Sequence, residues 1–223
     1  MIPLIFHFAY FSRIWKDFHT VCLQTCKGRA TPERVIVHYD RDGEGPDWEA
    51  ARDISGIEWR KVDLPKDDHL YRLDVLDSEG GFFCDLDFIF LKSFEELRRT
   101  PALIGSHQHL KLNMSLIGSE PGSDFIRALK VAEDPIDWDI STIYRVTIPR
   151  RHAFYPVTRC NKTFWSGGGF TFEKTHAVHL WEKLHPELSV PQLMETCLGD
   201  TIQAICDPKP TVTVLAGRFL SFD

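Results

Sequence analysis

The chain has 223 residues, 43% of them hydrophobic and 26% charged, a composition typical of a soluble globular protein. Its formal net charge of −6 and the lack of a clustered basic stripe argue against a nucleic-acid partner. The apolar start MIPLIFHFAYF has no cationic leader and is too short to span a bilayer, so we expect a cytoplasmic protein. The six cysteines contain no CxxC pair, and we expect them to be buried free thiols.

Strands and helices alternate in the first hundred residues. Three apolar stretches predict strands, at 4–11, 33–40 and 56–64. An amphipathic helix is predicted after the first strand, at 12–28, and ends at its terminal glycine; a second is predicted after the third strand, at 65–81, and ends in a double glycine. This order predicts an α/β fold with a largely parallel sheet.

The helix predicted at 65–81 has Leu70, Leu73 and Leu76 on one face. The turn-rich segment RDGEGPD, which begins at Arg41, predicts only a connection after the second strand.

The second half of the chain has weaker patterns. ALIGS (102–106) and MSLIGS (114–119) predict strands, and DFIRALKVA (124–132) predicts a short helix. THAVHLWEKL (175–184) is interpreted as another helix, and TVTVLAG (211–217) as a late strand.

Two aspartates interrupt an otherwise apolar run in EGGFFCDLDFIFLKSF, residues 79–94. If this run is one buried strand, Asp85 and Asp87 project to the same face while Leu86 faces the core. Two adjacent carboxylates repel each other unless a cation lies near them, and Mg²⁺ or Mn²⁺ prefers such oxygen ligands and bridges them to phosphates. The run therefore indicates a metal–diphosphate site, with a purely structural or solvated pair as the alternative.

The context of the two aspartates resembles the signature of the DXD-containing sugar transferases of glycosyltransferase family 32, which are related to the glucosyltransferase domains of large clostridial toxins. Further stretches along the chain resemble the same family: IPLIFHFAYF, VIVHYDRDGEGPDW, LNMSLIGSEPGSDFI, AFYPV and HAVHLWEKL. The residues in register with the signature are Arg72, Leu76, Gly80, Gly81, Asp85, Asp87 and Lys92.

This resemblance implies a GT-A fold, a Rossmann-like, mostly parallel sheet flanked by helices. It implies a metal-dependent hexosyltransferase-type enzyme that uses Mn²⁺ or Mg²⁺ and a nucleotide-sugar donor, with retention of anomeric configuration. We expect a UDP-sugar before a GDP-sugar, and a glycan or lipid-linked acceptor in polysaccharide biosynthesis, reached through peripheral membrane contact without a transmembrane segment. The whole chain, 1–223, would be one domain with a nucleotide-binding half (1–100) and an acceptor-side half (101–223).

The resemblance also implies roles for single residues. Asp85 and Asp87 would be catalytic and would hold the metal together with His179. Trp138 and Asp139 would contact the acceptor. The donor would be bound by Asp85 and by a further set: Phe8, Ala9, Tyr10, Arg72, Gly81 and Asn113. The chain departs from the family where it has His69 in place of a frequent aspartate and Tyr10 in place of a frequent tryptophan.

Each of these residues also has a structural interpretation. Arg72 could form a surface ion pair, Tyr10 and Trp138 could be core aromatics, and Asn113 could be a turn residue. His179 could support a neighbouring tryptophan in the core. His7 is interpreted as a structural histidine.

Two other functions are compatible with the sequence. One is a non-catalytic module that binds nucleotide sugars or glycans. The other is a DxD phosphatase or phosphotransferase, which usually carries the motif on its first strand, whereas here it lies in mid-chain.

Overall fold

The computed structural model describes residues 1–11, 14–108, 111–132, 144, 146–156, 172–185, 187–196 and 198–206. Within these ranges lie eight strands: β1 Ile5–Tyr10, β2 Arg34–Tyr39, β3 Ile57–Lys61, β4 Gly81–Cys84, β5 Phe88–Phe90, β6 Ala102–Gln108, β7 Lys111–Ser119 and β8 Ala177–His179. They also contain six α-helices: α1 Asp17–Thr25, α2 Pro46–Arg52, α3 Asp68–Glu79, α4 Asp124–Val131, α5 Val190–Met194 and α6 Gly199–Cys206. A π-helical turn, Cys26–Ala30, continues α1, and 3-10 turns span Leu97–Arg99, Arg151–Ala153 and Glu182–Leu184.

Six strands form the central sheet in the order β3-β2-β1-β4-β7-β6. Strands β1 to β4 are mutually parallel, whereas β7 is antiparallel to both β4 and β6. The continuous apolar runs in β1 and β2 suit strands that are covered on both faces. The predicted α/β fold with a mostly parallel sheet is confirmed. A second, two-stranded antiparallel sheet pairs β5 with β8.

Helices cover both faces of the central sheet. Phe8 of β1 belongs to a core cluster that includes Leu23 of α1, whereas the next residue, Ala9, belongs to a cluster with Leu76 of α3 and Ile126 of α4. This separation follows from the alternation of side chains along a strand. The carboxyl ends of the parallel strands are therefore the natural place for a ligand.

The first two helices differ from the sequence expectation. Helix α1 continues through the π-helical turn to Ala30, and the left-handed residue Thr31, with φ 57°, follows it. The predicted end at Gly28 is wrong because the buried Cys26 and Ala30 anchor this turn in the core. Helix α2 begins in the segment for which the turn-rich sequence predicts only a connection; Pro46 occupies its first turn, where no amide donor is needed.

Helix α3 forms as predicted and is capped by Asp67, whose side chain accepts a hydrogen bond from the Leu70 amide at 3.0 Å. Leu73 and Leu76 are buried, but Leu70 is 42% exposed. The prediction that all three leucines share one face is therefore wrong. At 3.6 residues per turn, positions six apart differ by about 120° around the helix axis.

The segment THAVHLWEKL is not a helix. Residues Ala177–His179 form strand β8, and Glu182–Leu184 form a 3-10 turn. Strand β8 pairs with β5, with His179 opposite Phe88 and Ala177 opposite Phe90. Tertiary pairing has overridden the helical pattern here.

Two other expectations concern thiols and membranes. Three cysteines, Cys22, Cys26 and Cys84, are buried free thiols, as predicted. Among the described residues, no helix combines the length and the apolar content needed to cross a bilayer. The late strand predicted at 211–217 lies outside the described residues.

Candidate active site

The aspartate run is divided between the two sheets. Strand β4 ends at Cys84 and β5 begins at Phe88, so Asp85 and Asp87 lie in the link between them. The prediction of one continuous strand is wrong because, after the Asp85 amide donates to the Ser115 carbonyl of β7 at 2.8 Å, the chain leaves the central sheet to pair with β8. Leu86 faces the core as expected.

Asp85 is held by a buried arginine. Its Oδ1 accepts a hydrogen bond from Nη1 of Arg72 at 2.6 Å. The same guanidinium binds Asp68 with two further hydrogen bonds, at 3.2 and 3.4 Å. Burial lowers the pKa of Arg72, but the two carboxylates outweigh burial and raise it, so the guanidinium stays charged. Arg72 is thus part of a buried ion-pair network and not only of a surface pair.

Asp87 is held by main-chain amides. Its Oδ2 accepts from the Glu182 amide at 2.8 Å, and its carbonyl accepts from the Leu180 amide at 2.8 Å. Burial raises the pKa of Asp87, but His179 and the Glu182 amide outweigh it and lower the pKa to about 2. The turn after β8 therefore wraps around an ionised carboxylate.

His179 faces both aspartates. Its Nε2 lies 3.1 Å from Oδ1 of Asp87 and 3.9 Å from Oδ2 of Asp85. Within the described part of the chain, Asp87 Oδ1 and both ring nitrogens of His179 are buried and lack a hydrogen-bond partner. Burial lowers the pKa of His179, but the two aspartates raise it by more.

Among the described residues, Asp85 Oδ2 and Asp87 Oδ1 face His179 and accept no hydrogen bond from any other group. Each of Asp85, Asp87 and His179 offers one ligand atom, and these atoms all lie within 4.8 Å of one another. Carboxylate oxygens suit Mg²⁺ and Mn²⁺, and imidazole is also a ligand for such ions. A divalent cation among these atoms would satisfy Asp87 Oδ1 and His179 Nε2, so the three residues fit a metal ion.

The three residues lie in a cleft of about 350 Å³. One part of its wall is apolar and includes Leu112, Met114 and Trp181, whereas Asp68 and Arg72 are among the residues of the polar part. The cleft has the mixed lining expected of a site for a polar molecule with some apolar surface.

Asn113 and His69 also line this cleft. The Oδ1 atom of Asn113 accepts a hydrogen bond from the Ser115 amide at 2.8 Å, a local contact typical of a turn-forming asparagine. The structure thus brings Asn113, Arg72 and the aspartates to the same cavity.

Other predicted donor residues lie elsewhere. Phe8, Ala9 and Tyr10 are buried, and the ring of Tyr10 packs against Trp15 and Trp48 at centroid distances of 5.1 and 5.2 Å. The structure does not bring these side chains into the cleft.

Gly81 begins β4, at the opposite end of that strand from Asp85. It has φ +102°, and an added Cβ would collide with the carbonyl of Ile5. Close packing of β4 on β1 explains a glycine here. The predicted acceptor residues, Trp138 and Asp139, lie outside the described residues.

Several residues of the site were not found from the sequence. Ser115 lies on the cleft wall, and its hydroxyl is 2.8 Å from that of Tyr155; its position two residues after Asn113 on the same strand face could have indicated it. The Glu182 contact to Asp87 uses a main-chain amide, which has no sequence signal. Trp181 adopts a left-handed conformation, with φ 60°, which is unusual for a bulky residue. Its ring packs against that of His179, with the two ring centroids 4.6 Å apart.

No protein-family model matches the sequence, and no curated protein matches it significantly. Among solved structures, the apo form of the glycosyltransferase GlyE of Streptococcus pneumoniae TIGR4 is similar with a TM-score of 0.51 at 9% identity, over 79% of this chain and 54% of that one. LgtC, a galactosyltransferase in complex with donor and acceptor sugar analogs, is similar with a TM-score of 0.46 at 11% identity, over 78% of this chain and 86% of that one. The PaToxG glycosyltransferase is similar with a TM-score of 0.44 at 15% identity, over 64% of this chain and 67% of that one.

The chain spans about half the length of GlyE. The likeness to GlyE, together with the sheet order β3-β2-β1-β4-β7-β6, shows that the chain has the GT-A fold predicted from its sequence.

Proposed function

We propose that the protein is a metal-dependent glycosyltransferase, an enzyme that moves a sugar from a nucleotide-diphosphate donor to a hydroxyl group of a glycan or lipid-linked acceptor. The observation that carries this proposal is the convergence of Asp85, Asp87 and His179, whose ligand atoms lie within 4.8 Å of one another at the carboxyl end of β4. The GT-A fold, shared with the glycosyltransferase GlyE, supports it.

Asp85, Asp87 and His179 would hold the cation, Mn²⁺ or Mg²⁺. When bound, that ion supplies positive charge to the departing nucleotide diphosphate and orients it. The protein holds the ligand atoms in place beforehand: Arg72 fixes Asp85, and the Glu182 amide fixes Asp87. Such preorganised charge costs little reorganisation during the reaction.

The donor is proposed to be a UDP-sugar, with a GDP-sugar as the alternative, and the transfer to proceed with retention, as in the DXD enzymes of family 32 that the sequence resembles. The departing phosphate would accept the proton of the acceptor hydroxyl. The acceptor is proposed to bind near Trp138 and Asp139, in a cytoplasmic pathway of polysaccharide biosynthesis.

The single domain is proposed to have two halves, 1–100 for binding the nucleotide and 101–223 for binding the acceptor. Since the side chains of Phe8, Ala9 and Tyr10 are buried, their contact with a nucleoside would use main-chain atoms. Strand β4 ends opposite Phe8 of β1, so the main chain of Ala9 and Tyr10 extends past the end of β4.

A thermal-shift screen of UDP, GDP and their sugars, each with and without Mn²⁺, tests the donor. We expect stabilisation by UDP compounds that depends on Mn²⁺. Stabilisation by GDP and not by UDP would contradict the proposed nucleotide. Donor hydrolysis or transfer is then measured with Mn²⁺, and donor binding without any turnover would favour the non-catalytic module.

A further inference from the structure

The cleft contains more negative than positive side chains. Asp68, Asp85, Asp87 and Glu182 line it, and the cationic side chains among its described lining residues are Arg72 and Lys183. A nucleotide diphosphate would bring further negative charge. Positive groups besides a metal ion would favour binding of the diphosphate, and these two side chains are the candidates in the described lining.

Arg72 is already committed to other residues of the protein. Its guanidinium binds Asp85 through Nη1 and Asp68 through Nη2 and Nε, at 2.6, 3.2 and 3.4 Å. The side chain is only 4% exposed and lies over the ring of Phe83, 5.2 Å from its centroid. Contact with a diphosphate would require Arg72 to give up at least part of this buried network, which is costly.

Lys183 has the opposite character. It is exposed on the cleft wall, in the 3-10 turn Glu182–Leu184, and forms no ion pair with any residue in the described ranges. The neighbouring Glu182 carboxylate is occupied by Lys16 at 3.2 Å and His19 at 3.2 Å. The Glu182 amide holds Asp87, so the turn that carries Lys183 is anchored directly to the metal-site residues.

We infer that Lys183 is a further catalytic residue, a cation that binds the diphosphate of the donor and stabilises it as it leaves, whereas Arg72 is a positioning residue for Asp85. This inference rests on the proposed function. In transfer, the bond between C1 of the sugar and the diphosphate oxygen breaks, and its electron pair passes to that oxygen. The acceptor oxygen bonds to C1, and its proton passes to the departing phosphate. The ammonium group of Lys183 donates hydrogen bonds to the diphosphate.

The test compares Lys183→Ala and Lys183→Arg with Lys174→Ala, which removes the same charge from an exposed residue that does not line the cleft. Binding of UDP, GDP and uridine is measured by calorimetry with Mn²⁺, and binding of Mn²⁺ alone is measured separately. A lost charge-assisted hydrogen bond predicts a loss of about 10- to 100-fold in affinity for the nucleoside diphosphate in Lys183→Ala. Lys183→Arg should restore most of this loss.

Uridine and Mn²⁺ alone should bind Lys183→Ala as they bind the wild-type protein, and Lys174→Ala should behave as wild type throughout. Normal diphosphate affinity in Lys183→Ala would overturn this inference and leave the proposed function intact. A wild-type protein that binds neither UDP nor GDP with Mn²⁺ would overturn both.

Discussion

At the residue scale, the two aspartates are held in different ways. Asp85 is 25% exposed at its side chain and pairs with the charged Arg72, whereas Asp87 is 7% exposed and accepts a main-chain amide. Removing each carboxylate therefore leaves a different group behind. Asp85→Ala leaves Arg72 still paired with Asp68, but Asp87→Ala leaves the Glu182 amide without its acceptor.

We expect both alanine variants to lose Mn²⁺-dependent donor binding and transfer. Asp87→Ala should also lower the free energy of unfolding of the metal-free protein by about 1–3 kcal/mol, because a buried donor is left unsatisfied. Asp85→Ala should cost less, because Arg72 keeps its ion pair with Asp68 and the Asp85 side chain is more exposed than that of Asp87. Urea denaturation in EDTA and Mn²⁺ calorimetry measure the two effects. Near-normal Mn²⁺ affinity in either variant would contradict the site.

His179 and His176 form a matched pair for testing the third ligand. His179→Ala should weaken Mn²⁺ and donor binding strongly. His176→Ala should leave both nearly normal, because His176 Nδ1 contacts the Ser93 carbonyl at 2.9 Å and not the aspartates. Calorimetry with Mn²⁺ measures this difference. Normal metal binding by His179→Ala with a lowered melting temperature would show that the histidine is structural.

The same site should respond to pH. The metal binds neutral imidazole, and the aspartates raise the pKa of His179 above the ordinary 6.5 in the metal-free protein, despite the opposing effect of burial. Mn²⁺ affinity should therefore begin to fall at a pH above 6.5 as the solution is acidified. Affinity that is constant from pH 8 to pH 6 would argue against this ligand.

At the scale of elements, a buried hydrogen-bonded chain connects β1, β2 and α3. The Tyr71 hydroxyl and His38 Nδ1 lie 2.7 Å apart, His38 Nε2 and His7 Nδ1 3.1 Å, and His7 Nε2 and the Gly80 carbonyl 3.0 Å. Since the carbonyl can only accept, His7 donates to it through Nε2. When both rings are neutral, His7 Nδ1 accepts from His38 Nε2, and His38 Nδ1 accepts from the Tyr71 hydroxyl. The structural interpretation of His7 is confirmed.

This hydrogen-bonded chain predicts that the folded protein loses stability in acid. Burial lowers the pKa of His7 to about 4 and that of His38 to about 3, below the ordinary 6.5. Below pH 6.5 these two histidines therefore bind more protons in the unfolded protein than in the folded protein. The stabilisation is fully present above that pH and is lost as pH falls towards 4 and 3, by up to about 1.4 kcal/mol per pH unit for each histidine.

Urea denaturation between pH 7 and pH 5 measures this slope. His38→Phe removes one titrating group and should reduce the slope by about half, whereas the exposed His152→Ala should not change it. An unchanged slope in His38→Phe would show that other groups cause the acid sensitivity.

At the scale of the whole molecule, the metal site connects distant parts of the chain. Asp85 and Asp87 come from the link between β4 and β5, and His179 comes from β8, which pairs with β5. Strand β7 of the second half is paired with β4 of the first. These pairings support one cooperative unit.

We therefore expect a single unfolding transition that Mn²⁺ shifts upward. A hundredfold excess of free ion over its dissociation constant stabilises by about 2.7 kcal/mol, or roughly 5–10 °C for a chain of this size. Scanning calorimetry with Mn²⁺ or EDTA measures the shift, and Asp85→Asn should abolish it. Two separate transitions would contradict a single domain.

Several features of the site could be predicted from local sequence. Alternating strands and helices indicated the α/β fold, and Asp85 and Asp87 in an apolar run indicated a cation. Resemblance placed His179 with them, and the structure brings the three together. Periodicity, glycine stops and residue chemistry act over a few positions, which is why they can be interpreted without a structure.

Local patterns predicted the order of the main elements and the chemistry of the aspartate pair. Three other features depend on long-range contacts: the aspartate run divides between two sheets, the segment with His179 is a strand, and Arg72 lies between Asp68 and Asp85. These outcomes depend on pairing between β5 and β8 and on packing of α3 against the end of β4. Local patterns do not encode such contacts, because they form between segments that are far apart in the chain.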